Sequence, residues 1–356
     1  MENVTCVRYL AEPQSQRPVR YGGTSYMLIS EIPALRNYFY PVCYSTELCN
    51  EPKHARLFGE DFVIYRDSQG AAHGLSDRCP HRGGRLSRGW VVNDCLACPY
   101  HGWEYASDGK CTFIPSQGVG APIPARAKLG AFPVNERHGL VWMCVGDEPR
   151  EMPHFTECED DDYTLIHEMM DVWKTSALRI VDNALDVSHV AWVHRNSIGS
   201  NAHNKLEMSE LSRDGLKIKF SATIVTQVRE AMKTMDGIKG ETTRRTVHAE
   251  LVQPLIFRGR LVYEENGLVH VLYKTCTPID DLNTLFCQFI ARNDKPAPER
   301  WESITAVDTM VQSEDRALLE HISPDFPLQI TDEVHTKYDK MTLEYRRVLA
   351  ELAGVK

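Results

Sequence analysis

The stretch CPHRGGRLSRGWVVNDCLACPYHGWEY, from Cys79 to Tyr105, constrains the fold and chemistry of this chain more than any other part of the sequence. Within it a cysteine is twice followed closely by a histidine, as Cys79-x-His81 and as Cys98-x-x-His101. Proline, glycine and arginine surround both pairs, which is typical of loops. Because 16 residues separate His81 from Cys98, a hairpin between them can bring the two loops together.

The overall composition is that of an ordinary globular protein. The chain has 356 residues, of which 42% are hydrophobic, enough for one large or two ordinary domains. A net charge of −9 argues against a nucleic-acid or anionic-membrane surface. No apolar run approaches the ~20 residues of a membrane helix, and the N-terminus lacks the basic-then-apolar order of a secretory signal. Eleven cysteines, an odd and scattered set, predict no disulfide framework and a cytoplasmic location.

The strand and turn patterns predict three segments. Residues 1–36 are polar with little periodicity and are expected to form a loosely held arm. Residues 37–150 carry short strand-like runs between Gly, Pro and Asn/Asp clusters, which predicts a small all-β domain with chemistry on its loops. The Pro-rich, acidic run GDEPREMPHFTECEDDDY places a boundary near 150. Residues 151–356 predict an α+β domain with an antiparallel sheet, because strands occur in a block before long helices.

Several elements follow from these patterns. Helices are predicted near 177–194, 298–322 and 331–353. Strands are predicted in DFVIYRD, WVVND, LVWMCVG, LKIKFSATIVTQV, GRLVYEENGLVHVLYKTCTP and TLFCQFIARN. Neither G-x-G-x-x-G nor a P-loop follows a strand, so we predict no nucleotide site in this chain.

Two thiolates and two imidazoles suit three possibilities. They are a [2Fe–2S] cluster with Cys₂ on one iron and His₂ on the other, a tetrahedral Cys₂His₂ zinc site, or no metal at all. Each loop supplies one ligand of each type, which favours the asymmetric two-iron centre. Glycines let backbone N–H groups approach bridging sulfides and prolines stiffen the loops; these residues are Gly83, Gly84, Gly102, Pro80 and Pro99.

The stretch resembles the Rieske iron–sulfur motif, C-x-H-x₁₆-C-x-x-H. The resemblance implies that Cys79, His81, Cys98 and His101 bind a Rieske [2Fe–2S] cluster. Further interpretations concern flanking residues: Trp103 and Tyr105 packing the second cluster loop, Arg82, Arg85 and Arg88 forming a positive rim, and Cys95 and Cys111 being structural.

A second constellation lies in RIVDNALDVSHVAWVHRNS. Asn183, Asp186 and His189 recur every three residues and would share one flank of a helix. His194 lies five residues beyond His189, about 140° further round a regular helix. We therefore predict an irregularity: either a one-residue π-type bulge, or a helix that ends before His194. If the segment binds no metal, its Asp and His side chains would form a hydrogen-bonding pair on the surface of a helix. Trp192 is interpreted as a core residue in preference to a pocket residue.

This order of motifs is similar to that of the Rieske non-haem iron oxygenases, whose catalytic motif is N-x-x-D-x-x-H-x₄-H. In that family a late carboxylate joins the two histidines on a mononuclear Fe(II). The helix WESITAVDTMVQSEDRALLEHI offers Asp308 and Asp315 on one face. Asp315 is chosen and Asp308 kept in reserve, because a metal would offset the cost of a carboxylate on an apolar stripe formed by Val311, Leu318, Leu319 and Ile322. The segment SEDRALLE is also similar to the acidic motif of the single-component-oxygenase branch.

The resemblance implies a terminal oxygenase with a helix-grip catalytic domain. His189, His194 and Asp315 would hold the Fe(II), O₂ would be the co-substrate, and NAD(P)H would supply electrons through a separate reductase, directly or via a ferredoxin. A head-to-tail homotrimer would let His101 hydrogen-bond Asp186 of the neighbour, with Asp186 holding His189 on the iron. Asn183 would either tune the iron's sixth position or cap a turn.

The implied reaction is hydroxylation or N- or O-demethylation of a small aromatic, alkaloid or other natural-product substrate. Two alternatives remain open at the level of sequence: a Rieske-type electron carrier without oxygenase activity, and a zinc-stabilised ligand-binding protein.

Overall fold

Short strands of two to seven residues build the N-terminal region, as the sequence predicts. The computed structural model describes residues 26–49, 51–209 and 211–355. The strands are β1 (Tyr26–Met27), β2 (Tyr40–Tyr44), β3 (Lys53–Leu57), β4 (Glu60–Arg66), β5 (Ala72–Ser76), β6 (Trp90–Val92), β7 (Cys95–Ala97), β8 (Glu104–Tyr105), β9 (Cys111–Phe113), β10 (Ala131–Phe132), β11 (Val134–Arg137) and β12 (Leu140–Met143). All of them except β1 form three small antiparallel sheets, in the orders β10-β5-β4-β3, β11-β12-β2 and β6-β7-β8-β9.

The β6–β7 hairpin is the connection that the spacing of the two cysteine–histidine pairs requires. Its turn residues Asn93 and Asp94 have φ values of 47° and 61°. Asn and Asp tolerate this left-handed region, which tight hairpins use because it matches the strand twist. The hairpin folds the loop containing Cys98 back toward the loop containing Cys79.

The predicted loose arm is wrong for its described part. Residues 26–36 contain Ile29, Ile32 and Leu35, which are at most 1% exposed and belong to the largest hydrophobic core. β1 also pairs with a strand close to the C-terminus, at Phe326–Pro327. These apolar side chains recur at every third residue along two consecutive 3₁₀ turns. The otherwise polar segment therefore has a three-residue apolar period, which the sequence analysis missed. Residues 1–25 lie outside the described part of the chain.

Longer strands and five helices build the C-terminal region. The strands are β13 (Thr164–Trp173), β14 (Glu207–Met208), β15 (Ser212–Asp214), β16 (Lys217–Gln227), β17 (Thr242–Gln253), β18 (Ile256–Tyr263), β19 (Val269–Pro278), β20 (Thr284–Arg292) and β21 (Phe326–Pro327). The helices are α1 (Ala177–Leu185), α2 (Val190–Val193), α3 (Glu230–Asp236), α4 (Trp301–Leu319) and α5 (Lys340–Ala353).

An antiparallel sheet of eight strands dominates this region and confirms the predicted α+β class. Its order is β13-β20-β19-β18-β17-β16-β14, with β15 also on β16. Strands β16, β18, β19 and β20 match predicted runs, whereas β13 and β17 are not among them. The last two predicted helices begin too early, since 298–300 and 330–332 are separate 3₁₀ turns.

Helix α4 packs against one face of the sheet. Ile304 and Val307 of α4 form a small apolar cluster with Ile166 of β13 and Ile290 of β20. This packing holds α4 against β13 and β20, and a cavity lies between the helix and strands β17, β18 and β19. None of the helices in the described residues is both long and apolar enough to cross a membrane.

Candidate metal centres

The two cysteine–histidine loops are copies of one backbone turn. We call residues 79–84 the first cluster loop and residues 98–103 the second cluster loop. In the first, the Gly83 N–H donates to the Cys79 carbonyl at 2.9 Å; in the second, the Gly102 N–H donates to the Cys98 carbonyl at 2.9 Å. The two glycines have φ values of +72° and +71°. Because side chains rarely adopt this left-handed conformation, the turn requires glycine at the same place in each loop.

The four candidate ligands converge with sulfur inside and imidazole outside. Cys79 and Cys98 are 3% and 1% exposed, and their thiols lie within hydrogen-bonding reach of each other. The exposed rings of His81 and His101 have centroids 4.5 Å apart. A Cβ on Gly84 would lie 3.2 Å from the Cys98 sulfur, so glycine leaves room beside that ligand. These residues fit a two-iron cluster with a buried Cys₂ side and an outer His₂ side.

Two aromatic residues join the loops. The Trp103 ring stacks on His81 with a centroid distance of 4.5 Å, and the Tyr105 hydroxyl lies 3.1 Å from the Cys79 sulfur. Both were expected to pack the second cluster loop, but their rings contact ligands of the first. The reason is that β8 runs back antiparallel to β7, which carries the side chains after the second loop across to the first.

The remaining flanking residues have simpler environments. Arg82, Arg85 and Arg88 are exposed at the first cluster loop and its end, and Arg85 lies 3.4 Å from Asp61. Cys95 and Cys111 are free thiols.

The histidine-bearing segment contains the predicted irregularity. Helix α1 ends at Leu185, where Asp186 adopts an extended conformation with φ −93° and ψ 107°. A separate turn, α2, then runs between His189 and His194. The second alternative, a helix that ends before His194, is therefore the correct one. The argument that Asn183, Asp186 and His189 share a helical flank is wrong, because two of these residues lie beyond the helix.

The break brings both histidines to a carboxylate of α4. Nε2 of His189 lies 3.5 Å, and Nε2 of His194 3.3 Å, from the same Oδ1 of Asp315. The three ligand atoms all lie within 4.8 Å of one another. Oδ1 is buried without a hydrogen-bond partner in the described residues, and a coordinated cation would satisfy this atom. We call His189, His194 and Asp315 the triad.

Two members of the triad, Asp315 and His189, have pKa shifts in the direction that metal binding requires. Burial alone would raise the pKa of the Asp315 carboxyl, but His194, His189 and Lys274 outweigh it and hold that pKa well below its usual range. Burial lowers the pKa of His189, although Asp315 and Asp186 oppose this. An ionised carboxylate beside a neutral imidazole fits Fe(II) on two histidines and one acid.

Contacts of the other ring nitrogen, Nδ1, orient both imidazoles. Nδ1 of His194 lies 2.9 Å from Oε2 of Glu314, which also accepts a hydrogen bond from the Ser197 hydroxyl at 2.6 Å. Nδ1 of His189 contacts the backbone carbonyl oxygen of Asp186. Such contacts fix which ring nitrogen faces the metal. The sequence analysis assigned no such role to Glu314 or Ser197; the adjacency of Glu314 to Asp315 was the available signal.

The structure corrects the predicted role of the Asp186 side chain within one chain. Its Oδ1 accepts hydrogen bonds from the Ser188 backbone N–H, at 2.7 Å, and from the Ser188 hydroxyl. The carbonyl of Asp186, rather than its carboxylate, therefore contacts His189. The extended conformation after the helix end points that carbonyl toward the ring.

Three other candidate residues lie apart from the triad. The Asn183 side chain is half-buried, has no hydrogen-bond partner in the described residues and does not line the cavity. Trp192 was expected in the core but is 53% exposed, because α2 is a surface turn. Asp308, the reserve ligand, lies 3.1 Å from Nε2 of His270 and well away from the histidine pair.

A cavity of about 110 Å³ opens from the triad between α4 and the sheet. Its middle is apolar, with Val247, Leu261, Leu272 and Val311 in the wall. Its far end is polar, formed by Arg245, Tyr263, His270, Asp236 and Asp308. Asp308 and Asp315 are seven residues apart on α4, so about 10 Å separates the polar end from the triad.

Comparison with known families matches both halves of the chain. Residues 38–128 match the Rieske [2Fe-2S] domain, and residues 173–354 match the vanillate O-demethylase oxygenase C-terminal domain. The second match alone covers half of the chain.

Curated relatives match over most of the length or over about half of it. Methylxanthine N1-demethylase NdmA of Pseudomonas putida is 27% identical over 329 residues, which are 89% of each chain. The oxygenase component of dicamba O-demethylase from Stenotrophomonas maltophilia is 35% identical over 185 residues, 51% of this chain and 54% of that one. Oxidoreductase NdmD of Pseudomonas putida is 31% identical over 64% of this chain and 37% of its own.

Solved structures agree with the fold over nearly the whole chain. NdmA of Pseudomonas putida with caffeine superposes with a TM-score of 0.78 at 27% identity, covering 91% of this chain and 93% of that one. Of these relatives, NdmA demethylates methylxanthines, which are small molecules, and NdmD is an oxidoreductase. The two domain matches, the cluster loops and the triad lead to one conclusion: this chain belongs to the Rieske oxygenases, oxidoreductases that use a Rieske [2Fe–2S] cluster and a mononuclear iron, and it is a terminal oxygenase subunit.

Proposed function

We propose that this chain hydroxylates, or removes an N- or O-methyl group from, a small aromatic, alkaloid or other natural-product molecule bound in the cavity. The observation that carries the proposal is the orphaned Oδ1 of Asp315, which two imidazoles flank at one end of an enclosed, largely apolar space. Apolar walls fit a hydrocarbon body and exclude water from the reacting carbon.

In this proposal the two cofactors have separate ligand sets. Cys79, Cys98, His81 and His101 hold the cluster, and the triad holds the Fe(II). Ferrous iron on such a ligand set supplies open positions for O₂ chemistry, and the cluster supplies single electrons. His189 and His194 act through Nε2, because their Nδ1 atoms contact the Asp186 carbonyl and Glu314.

The electron path runs between chains. His81 and His101 are exposed, so a donor or a second subunit can reach the histidine side of the cluster directly. Asp186 is half-buried, and its Oδ2 has no hydrogen-bond partner in the described residues. We propose a head-to-tail homotrimer in which His101 of one subunit donates to Asp186 of the next, with a ferredoxin or reductase delivering electrons from NAD(P)H.

Two further assignments follow the same reasoning. The Rieske domain occupies residues 37–150 and the catalytic domain residues 151–356, since the small sheets end at Met143 and the large sheet begins at Thr164. The ten described cysteines are free, which supports a reducing, cytoplasmic location.

The test is oxygen uptake with a reductase, NADH and a panel of N-methylated, O-methylated and unmethylated aromatic and alkaloid compounds. Formaldehyde released in proportion to O₂ consumed identifies demethylation, whereas a hydroxylated product without formaldehyde identifies hydroxylation. His189→Ala should abolish both and retain the reduced-cluster paramagnetic resonance signal. A wild-type protein that holds both cofactors and accepts electrons, yet shows no compound-dependent O₂ uptake, would contradict the proposal and favour the electron carrier.

A further inference from the structure

Arg245 on β17 is a buried cation at the far end of the cavity. Arg245 is 5% exposed and lines the cavity on the side opposite the triad. We propose that Arg245 binds an anionic oxygen group of the substrate, a carboxylate or a sulfonate. This inference rests on the proposed function in one respect, namely that the cavity is the substrate site.

The guanidinium of Arg245 has few partners. One terminal nitrogen donates to the Tyr263 hydroxyl at 3.2 Å, and the ring of Tyr263 lies beside it at 5.8 Å. Nε is buried without a hydrogen-bond partner. No carboxylate of the described residues lies within 4 Å of this group, although a guanidinium offers five donors.

Three acids of the cavity wall already have basic partners. The pairs along the wall are Asp236 with Arg292 at 3.0 Å, Asp308 with His270 at 3.1 Å, and Asp315 with Lys274 at 3.9 Å. Arg292 is further paired with Asp294 at 2.9 Å. Among the described cations of the cavity wall, Arg245 is therefore the one without an acid in contact.

The neighbouring residue shows the difference between a surface arginine and this one. Successive side chains of a strand point to opposite faces of the sheet, so Arg244 points away from the cavity. Arg244 is half exposed and pairs with Glu207 at 2.9 Å and with Glu264 at 3.3 Å. Arg245 points inward and keeps its charge in a closed space, a costly arrangement unless a ligand supplies the counter-charge.

The shape of the site defines the class of substrate. A planar guanidinium with free donors matches the two oxygens of a carboxylate. Between Arg245 and the triad lies the apolar middle of the cavity, with Val247, Leu261 and Leu272. The expected substrate is an organic acid whose apolar body separates the anionic group from the carbon that is oxidised.

Calorimetric titration of the protein carrying both cofactors tests the inference without turnover. The probes are 4-methoxybenzoate against 4-methoxybenzamide, and toluene-4-sulfonate against toluene-4-sulfonamide, so that carboxylate and sulfonate preferences are measured separately. In the wild type we expect at least one acid to bind about tenfold more tightly than its neutral analogue. Arg245→Met should remove that preference and leave the neutral affinity within about twofold, and Arg244→Met should retain it.

Thermal unfolding distinguishes ligand binding from a structural role. The acid should raise the unfolding midpoint of the wild type but not of Arg245→Met. Without ligand, Arg245→Met should be as stable as the wild type or more so, because methionine removes a buried unpaired charge. The inference is overturned if the wild type prefers neither acid, or if Arg245→Met keeps the preference. Failure of the proposed function would instead appear as absent O₂ uptake, whatever the acid preference.

Discussion

The cluster loops and the triad differ in how far apart their ligands lie in the chain. The four candidate cluster ligands fall between Cys79 and His101, and two copies of one turn position them. The triad joins His194 to Asp315 across most of the catalytic domain. The imidazoles of His81 and His101 are exposed, whereas His194 and Asp315 are buried, His189 is half-buried, and all three face a cavity.

This difference matches the tasks of the two centres. A group that exchanges electrons with other proteins must reach the surface, and local turns are sufficient to build it there. A centre that reacts with an enclosed substrate must be buried, and a buried constellation needs support from elements remote in sequence. We therefore expect substitutions at the triad to act through distant partners, and substitutions at the cluster loops to act through local backbone geometry.

The largest effect is expected from exchanging one carboxylate of α4. Asp315→Asn should reduce the iron content from about three to about two atoms per chain and abolish turnover, because a neutral amide is a poor replacement for an anionic ligand. Metal analysis and coupled O₂ uptake measure both quantities. Asp308→Asn, seven residues earlier on the same face, is the matched control and should retain about three iron atoms. Iron loss in both variants would mean that the helix, and not the ligand, had been disturbed.

A smaller effect is expected from Glu314→Gln. The amide no longer carries the charge that Glu314 presents to Nδ1 of His194, so affinity for Fe(II) should fall by about 10- to 100-fold, as for other outer partners of metal-bound histidines. Competition with a ferrous chelator measures this affinity. Ser197→Ala removes the hydroxyl donor on the same carboxylate and should weaken binding less. If Glu314→Gln bound iron as the wild type does, the remote support of the triad would be disproved.

A local effect is expected in the second cluster loop. Gly102→Ala forces a side chain into the left-handed region, at a cost of about 1–2 kcal/mol, and its Cβ would lie 3.0 Å from Pro115. The cluster absorbance should be lost at a lower temperature than in the wild type. Gly120→Ala is the control, because it carries the same backbone strain, at φ +80°, with no atom within 4 Å of its Cβ. If both variants lost the cluster absorbance at the same temperature, the second cluster loop would not require glycine at position 102 for cluster stability.

The smallest effect concerns the support of α1, the helix before the histidines. Asp182 of α1 is paired with Arg346 of α5 at 2.9 Å, and burial raises the pKa of Asp182 to about 6 despite Arg346. Arg179 and Glu333 also face this carboxyl. Because the folded pKa exceeds the unfolded value, the native state binds the proton more tightly. The resulting stability is complete below about pH 4 and is lost as the pH rises through about 6.

Denaturant unfolding at pH 5 and pH 7 measures this contribution. The free energy of unfolding of the wild type should lose about 1 kcal/mol between these pH values relative to Asp182→Asn, which does not titrate. If the free energy of unfolding had the same pH dependence in the two proteins, protonation of Asp182 would contribute nothing to stability.

The sequence by itself determined the cluster loops, because the residues that specify them lie close together in the chain. Two Cys–His pairs, their glycines and a hairpin-length spacer specify a turn, its repetition and the four candidate ligands. The same local character made an irregularity before His194 predictable, since the interval between His189 and His194 does not fit a regular helix. It did not predict that α1 ends as early as Leu185. The α+β class and most long strands were also predictable from alternation and block order.

Only the tertiary structure decided the surroundings of the triad. Periodicity leaves Asp308 and Asp315 on one face of α4; the packing of that helix over the sheet decides which of them meets the histidines. Strand β17 was missed because Arg245 interrupts its apolar alternation. Only the folded sheet shows that the Arg245 side chain points into a cavity. Contacts between residues more than a hundred positions apart depend on how whole elements pack, and no local pattern encodes that packing.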